Sequence, residues 1–233
     1  KALYYFSLGY TGNKDVVRTT SFQRINSRFN ADLTFNKYIQ MGLNVGFSRI
    51  ERSLLDDGVN RYSSPVWMSK IKSPILNPYN YTTAGELAKE YARTDSFDVG
   101  NPGAYILNSI NKHKKFRLNI GFKPKVIITP ELSFSTMFDY NLDKSVERRF
   151  VPLFYKPVRI IPNLGLSYNE INSQAMRNTG VFDDSKLTYI KTFNNTHHIS
   201  AMLGWRFVSN YYESDYIEEH NTGQNNNTTI IGN

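Results

Sequence analysis

The feature that most constrains this chain is a two-residue rhythm that recurs along it. Ile25, Phe29, Ala31, Leu33 and Phe35 alternate with Arg24, Asn26, Arg28, Asn30, Asp32 and Thr34. Further on, Phe116, Leu118, Ile120 and Phe122 alternate with Lys115, Arg117, Asn119 and Lys123. Successive side chains of a strand point to opposite faces, so each segment has one oily wall and one strongly polar wall. Segments of about ten residues with this pattern are the signature of a transmembrane β-barrel.

The pattern predicts strands near 2–12, 17–35, 38–52, 114–123, 130–141, 185–193 and 198–213. Ala2, Tyr4, Phe6, Leu8 and Tyr10 make the first apolar face, and Ile39, Met41, Leu43, Val45 and Phe47 the third. Leu132, Phe134, Phe138 and Tyr140 oppose Glu131, Ser133, Ser135 and Asp139, while Ile199, Ala201, Leu203, Trp205 and Phe207 oppose Ser200 and Arg206. Helical spacing fits these segments poorly, and Phe, Tyr, Ile and Val favour strands. An eighth strand is expected within 164–171, although Pro152, Pro157 and Pro162 argue against a central strand just before it. Ala84 to Arg93 reads as a short helix, and the Asn- and Thr-rich run from Asn221 to Thr229 as a tail.

The connections carry a second signal. Asn36-Lys37, Lys123 to Ile128 and Asn194 to His197 are short turns, whereas 54–113 and 142–184 are long loops. After the intermediate link Gly12 to Asp15, short and long connections alternate. Antiparallel neighbours then collect the short turns at one end and the long loops at the other, as in outer-membrane barrels. Pro-punctuated aromatic stretches, Ser64-Pro65-Val66-Trp67 and Ser73-Pro74 to Asn77-Pro78-Tyr79, predict ordered irregular structure in the first loop.

Composition agrees with this reading. Aromatic residues make up 14% of the chain, with 16 Tyr and 15 Phe, a load that suits girdles at two membrane interfaces. Mean hydropathy is only −0.47, because alternation averages an apolar face with a polar one. No run approaches the roughly eighteen apolar residues of a spanning helix. Without cysteine there is no disulfide, thiolate metal site or cysteine nucleophile. The net charge of +8 is spread over polar faces and loops with no dense run, which argues against a nucleic-acid partner.

Three stretches resemble the SusC/RagA-like TonB-dependent transporters of the Bacteroidetes outer membrane. They are Tyr4 to Tyr10 followed by Arg24 to Asn30, then the Ser73-Pro74 to Tyr79 loop, then Lys191-Thr192-Phe193 with His198 to Trp205. The resemblance implies residues 1–233 are an interior piece of an antiparallel transmembrane barrel of about 22 strands, of which this piece supplies about 7–8. The chain opens with a strand already in progress and shows no signal peptide, TonB box or plug domain. By the resemblance, its partners are the remaining strands and plug of the same transporter, TonB through the N-terminal regions, outer-membrane lipid, a SusD-like lipoprotein and a small glycan or peptide substrate. It implies an outer-membrane location in a Gram-negative, Bacteroidetes-like bacterium.

Candidate lumen-facing residues are Arg24, Asn26, Arg28, Asn30, Asp32, Arg117, Asn119 and Arg206; they contact a plug, line a substrate path, or pair with one another in a wet interior. Trp67, Tyr79 and Tyr81 are candidate extracellular-loop contacts to substrate or to a lid protein, or they pack loop against loop. Trp205, Phe207, Tyr211 and Tyr212 are candidate membrane-interface aromatics. No catalytic, cofactor or metal site is expected: His197 and His198 point to opposite faces, and His113 and His220 lie at loop edges. Asp56-Asp57, Asp183-Asp184 and Glu218-Glu219 read as loop carboxylates with no apolar pocket. Two other readings stay open, a complete eight-stranded barrel with a structural or adhesive role and a soluble glycan-binding β-sandwich.

Overall fold

A computed structural model describes residues 1–56, 58–59, 63–151, 159–162, 165–167 and 169–221. In chain order its elements are β1 (Ala2–Lys14), β2 (Ser21–Thr34), β3 (Ile39–Ser53), α1 (Pro65–Ile71), β4 (Tyr79–Tyr81), β5 (Leu87–Tyr91), α2 (Pro102–Asn108), β6 (Ile110–Ile127), β7 (Leu132–Val151), β8 (Arg159–Ile161), β9 (Gly165–Ser167), β10 (Glu170–Phe193) and β11 (His197–His220). Seven strands form one antiparallel sheet in the order β1-β2-β3-β6-β7-β10-β11, so each long strand pairs with the next one along the chain. Two small ribbons, β4-β5 and β8-β9, stand apart from it. The all-β antiparallel architecture expected from the alternation is therefore present. No second sheet packs on the first among the described residues, which removes the sandwich. The wall holds seven strands there, and β1 and β11 do not pair with each other.

Strand registers sort the side chains into two faces. On one face Phe6, Phe29, Val45, Ile120, Tyr140, Val181 and Ser209 follow one another across the sheet. Phe116, Phe122 and Phe138 on this face remain about 40% exposed although each strand is flanked on both sides. Phe29, Phe116 and Leu203 do not converge in a dry centre; they belong to a contiguous exposed apolar face, the mark of a membrane or protein contact. The apolar run Ile39–Phe47 on β3 measures about 30 Å along the strand. At a tilt of roughly 40° that is about 23 Å of height, close to the ~25 Å apolar band of an outer-membrane barrel. Asp183 interrupts the band, but it accepts a hydrogen bond from Thr136 Oγ1 at 2.7 Å, and the buried Ser185 hydroxyl lies 3.1 Å from each of its oxygens.

The short turns lie at one end and each has its own chemistry. Asn36 Oδ1 accepts from the backbone N–H of Tyr38 and Ile39, and Thr129 Oγ1 from that of Leu132. Asn194 and Asn195 both adopt positive φ, 48° and 55°, which asparagine tolerates better than most residues, and so close the β10-β11 hairpin. The connections that follow β1, β3 and β7 leave from the other end.

Several expectations are corrected. β7 continues to Val151 and β10 begins at Glu170, so most of 142–184 is strand and the connection is only 152–169. Asp183-Asp184 and Glu218-Glu219 are therefore strand residues, not loop carboxylates. His113 lies inside β6, which starts at Ile110 and shortens the first long loop to 54–109. β6 also runs through Pro124 to Ile127; pairing with β7 lapses at Lys123 and Pro124, where the missing N–H breaks the ladder, then resumes at Lys125. The helix expected at 84–93 is the strand β5, paired with β4 by a Tyr79–Tyr91 stack at 4.9 Å. The eighth strand expected at 164–171 is not in the wall: β9 pairs with β8 instead. Pro152, Pro157, Asp57 and the tail after Asn221 lie outside the described residues.

The faces give a direct test on neighbouring positions. Lysine in place of Val45, on the apolar face in mid-band, should cost about 2–4 kcal/mol, whereas Asn44→Lys on the other face should cost under about 1 kcal/mol. Urea titration of the protein folded into lipid vesicles measures both.

Candidate functional site

The second face of the sheet is hollow. It forms a trough of about 1400 Å³, with Tyr5, Arg28, Asn44, Arg117 and Asn141 among its lining. All eight residues read from the sequence as facing a lumen lie on this face by register: Arg24, Asn26, Arg28, Asn30 and Asp32 on β2, Arg117 and Asn119 on β6, Arg206 on β11. They do not form one cluster. Arg117 grips Asp143 of β7 with two bonds, 2.7 and 3.0 Å, and Lys115 approaches the same carboxylate at 3.7 Å. Asn119 donates to Asn141 across the same pair of strands. Arg206 reaches Asp184 at 3.5 Å, shares it with Lys186 at 3.0 Å, and lies over the Phe182 ring. Arg24, Arg28 and Asp32 make no ion pair among the described residues, so two cations and one anion on β2 face the trough unneutralised.

Glycine lets this polar surface lie flat. Gly9 opposes Asn26, Gly121 opposes Asn44, Gly46 opposes Asn119, and Gly180 lies between Asn141 and Asn210. A Cβ at Gly9 would sit 2.7 Å from the Asn26 amide nitrogen, and one at Gly180 2.9 Å from the Asn210 oxygen. The alternation puts Asp139 on the polar face but gives no sign of what it does there. Its carboxylate fills the space over Gly121, where a Cβ would come within 2.5 Å of it.

The long-loop end is where the chain builds a packed core. Met68, Val99, Tyr105 and Val151 are buried together, with Leu55 against them. Two helices deliver Met68 and Tyr105. Ser64 caps α1 and Asn101 caps α2, each followed by proline at the first helical position. The buried Asn101 side chain accepts from Ala104 N and donates to the carbonyls of Pro78 and Ala92, both at 2.8 Å, tying α2 to the base of the β4-β5 ribbon. Arg149 of β7 fastens the loop to the wall, with Asp56 at 2.7 Å and Glu170 at 2.6 Å. Burial by itself disfavours charge on Arg149, but Tyr105, Asp56 and Glu170 around it more than reverse that and hold it protonated. Burial also pushes the Tyr105 hydroxyl up to about 12.

Of the loop aromatics, Trp67 is half-buried on α1, Tyr79 is stacked on Tyr91, and Tyr81 is 62% exposed. Trp205, Phe207 and Tyr211 point to the apolar face with odd-numbered neighbours of β11. Tyr212 does not: it pairs with Asn178 on the hollow face, since adjacent strand residues cannot share one side. Among the described residues no three His, Asp or Glu side chains gather as a metal site.

No family profile matches the chain. It is similar over its whole length to TonB-dependent receptor P39 of Formosa agariphila, with 23% identity over 245 aligned positions. Solved structures of the RagAB peptide importer share the fold: the closed-closed state at TM-score 0.67 and 16% identity, and the open-open state at 0.68 and 17%, each covering 99% of this chain. The chain spans 22% of the receptor's length and 25% and 24% of the two importer chains. The likeness to SusC/RagA-like TonB-dependent transporters drawn from the sequence is borne out by these matches, and the proteins matched are receptors and importers, not enzymes.

Two outcomes test the loop anchor. Arg149→Met removes the cation that Asp56 and Glu170 share, at a cost of about 3–5 kcal/mol, and limited trypsin digestion should then cut loop 54–109 before the wall. Asp95, buried against Lys72 at 2.9 Å, is pushed up by burial but pulled further down by Lys72 and the N–H groups of Val99 and Phe97, to a net value below 3.8. A lowered carboxyl stabilises fully above its unfolded value and is lost as pH falls through the folded one. Amide exchange at Val99 should therefore keep its protection from pH 7 to pH 5 and lose it only below 3.8.

Proposed function

We propose that this chain is a sector of the wall of a TonB-dependent importer in the outer membrane of a Gram-negative, Bacteroidetes-like bacterium, taking up oligosaccharides or peptides. The observation that carries the reading is a single antiparallel sheet with an exposed apolar face, a charged hollow face, and all its long connections at one end. Water on the hollow side and hydrocarbon on the other satisfy both faces at once.

On this reading Arg24, Asn26, Arg28, Asn30, Asp32, Arg117, Asn119 and Arg206 line the lumen. Arg28 and Asp32 lie toward the short-turn end, where a plug is held, and their lack of ion pairs among the described residues suits contact with it. The open edges of β1 and β11 are closed by further strands, to about 22 in all. Loops 54–109 and 152–169 face outward, and a SusD-like lipoprotein closes over them, with Tyr79, Tyr81 and Trp67 in reach of lid or substrate. Trp205, Phe207 and Tyr211 anchor the wall at the membrane interface. Import is driven by TonB acting on the plug.

Uptake of labelled oligosaccharides and oligopeptides by cells carrying the full-length protein tests this. One of the two classes should enter, and only while TonB is present; uptake that survives loss of TonB would falsify the proposal. Joint replacement of Tyr79 and Tyr81 by alanine should lower co-purification of the lipoprotein about tenfold or more, the effect of losing one interface hot spot.

A further inference from the structure

Just beyond the apolar band, at the long-loop end of the convex face, the wall presents more cations than carboxylates, and Lys112, Lys114, Lys144 and Arg177 form no close ion pair among the described residues. Register sets Arg49, Phe116, Lys144, Arg177 and Glu213 in one cross-strand row. The next row holds Glu51, Lys114 and Asp215, and Lys112 follows in the one after it. Lys144 thus lies directly opposite Arg177. Like charges in such positions repel.

The nearby carboxylates do not resolve this. Glu51 is bound by Arg49 at 2.5 Å and its charge reaches Lys112 and Lys114, but not the Lys144–Arg177 pair. Glu213 and Asp215 share the outer face of β11, yet no ion pair joins either to Lys112, Lys114, Lys144 or Arg177 among the described residues. All four of those cations are exposed. At the other end of the band Lys191 approaches Glu131 at 3.7 Å and Lys37 lies over the Tyr38 ring, and no two cations stand opposite each other among the described residues.

We propose that this strip binds the phosphate-bearing headgroups of membrane lipids in the leaflet at the long-loop end. The inference rests on the convex face being the lipid face. Acyl chains would lie on Leu118, Leu142 and Val181, which places their headgroups at the next positions outward, where the cations are. Long Lys and Arg stems reach from the edge of an apolar surface toward such groups. A phosphate between Lys144 and Arg177 turns a repulsive pair into a bridged one.

The test uses the full-length protein, extracted in a nonionic detergent and stripped of lipid, then offered mixed micelles of phosphatidylglycerol or phosphatidylcholine. Lipid phosphorus retained per protein is measured after gel filtration. Phosphatidylglycerol should be retained in excess by about threefold or more, with the excess fading at high salt. The excess should vanish in Lys144→Gln/Arg177→Gln, persist in Lys144→Arg/Arg177→Lys, and persist in Lys191→Gln at the opposite end. Heat-modifiable gel mobility verifies that each variant is folded. Equal retention of the two lipids, or an unchanged excess in the glutamine variant, overturns the proposal. Loss of the excess to millimolar inorganic phosphate alone overturns the assignment to lipid. Retention of neither lipid by a folded, water-soluble protein would instead remove the lipid face on which both this proposal and the importer reading stand.

Discussion

A sheet bathed in hydrocarbon has no water to bond its backbone, so the continuity of its hydrogen-bond ladder is what everything else here depends on. Each long strand meets that demand with its sequence neighbour, from the 13 residues of β1 to the 24 of β10 and β11. The lapse between β6 and β7 falls at Pro124, close to the short-turn end, where water is near. The outer edges of β1 and β11 carry rows of donors and acceptors that only further strands can satisfy. The ladder therefore argues for a closed wall more strongly than any side chain does.

Side chains follow from this constraint. With no second layer among the described residues, the sheet has no core in the usual sense; one face is apolar and exposed, the other polar and hollow. What the polar face needs is room, and the pairing of asparagine with glycine across strands supplies it. Bulk on both sides of such a pair would force the strands apart or the side chains off their rotamers. Where charges do meet, as at Arg117 and Asp143, the bidentate geometry fixes one arrangement; where they do not, as at Arg24 and Arg28, the face is left attractive to an anionic group.

Much of this is legible in the sequence, and the failures share a cause. All seven wall strands can be read from alternation where they lie within the band, because there one face must be apolar. β7 beyond Leu142 and β10 before Val181 carry charge on both faces, with Lys144, Arg148 and Arg177 at outward positions, so the period-2 signal disappears. Asp143 reads as a loop residue for that reason, which hides its pairing with Arg117 although parity alone places Arg117 correctly. Tyr211 and Tyr212 look like one patch in the sequence, yet adjacency in a strand is what separates them. The helices α1 and α2 do leave a signal, Ser64-Pro65 and Asn101-Pro102, a capping residue followed by proline. Their short length gives no periodicity to strengthen it.

The extension of β7 and β10 above the band also explains where the chain places its packed cluster. Inside the membrane, lipid covers apolar groups without help from the protein; above it, order has to come from side-chain packing and paired charges. Val151 and Arg149 sit at the top of β7 and Glu170 at the start of β10, and it is against these that Met68, Tyr105 and Asp56 of the loop are held. A shorter wall would leave loop 54–109 with no such footing, and Asn101 would then tie together two pieces of the loop with neither fixed to the barrel. Wall height and loop order are thus a single feature: the strands run on past the apolar band, and loop 54–109 is ordered because it packs and pairs against that extension.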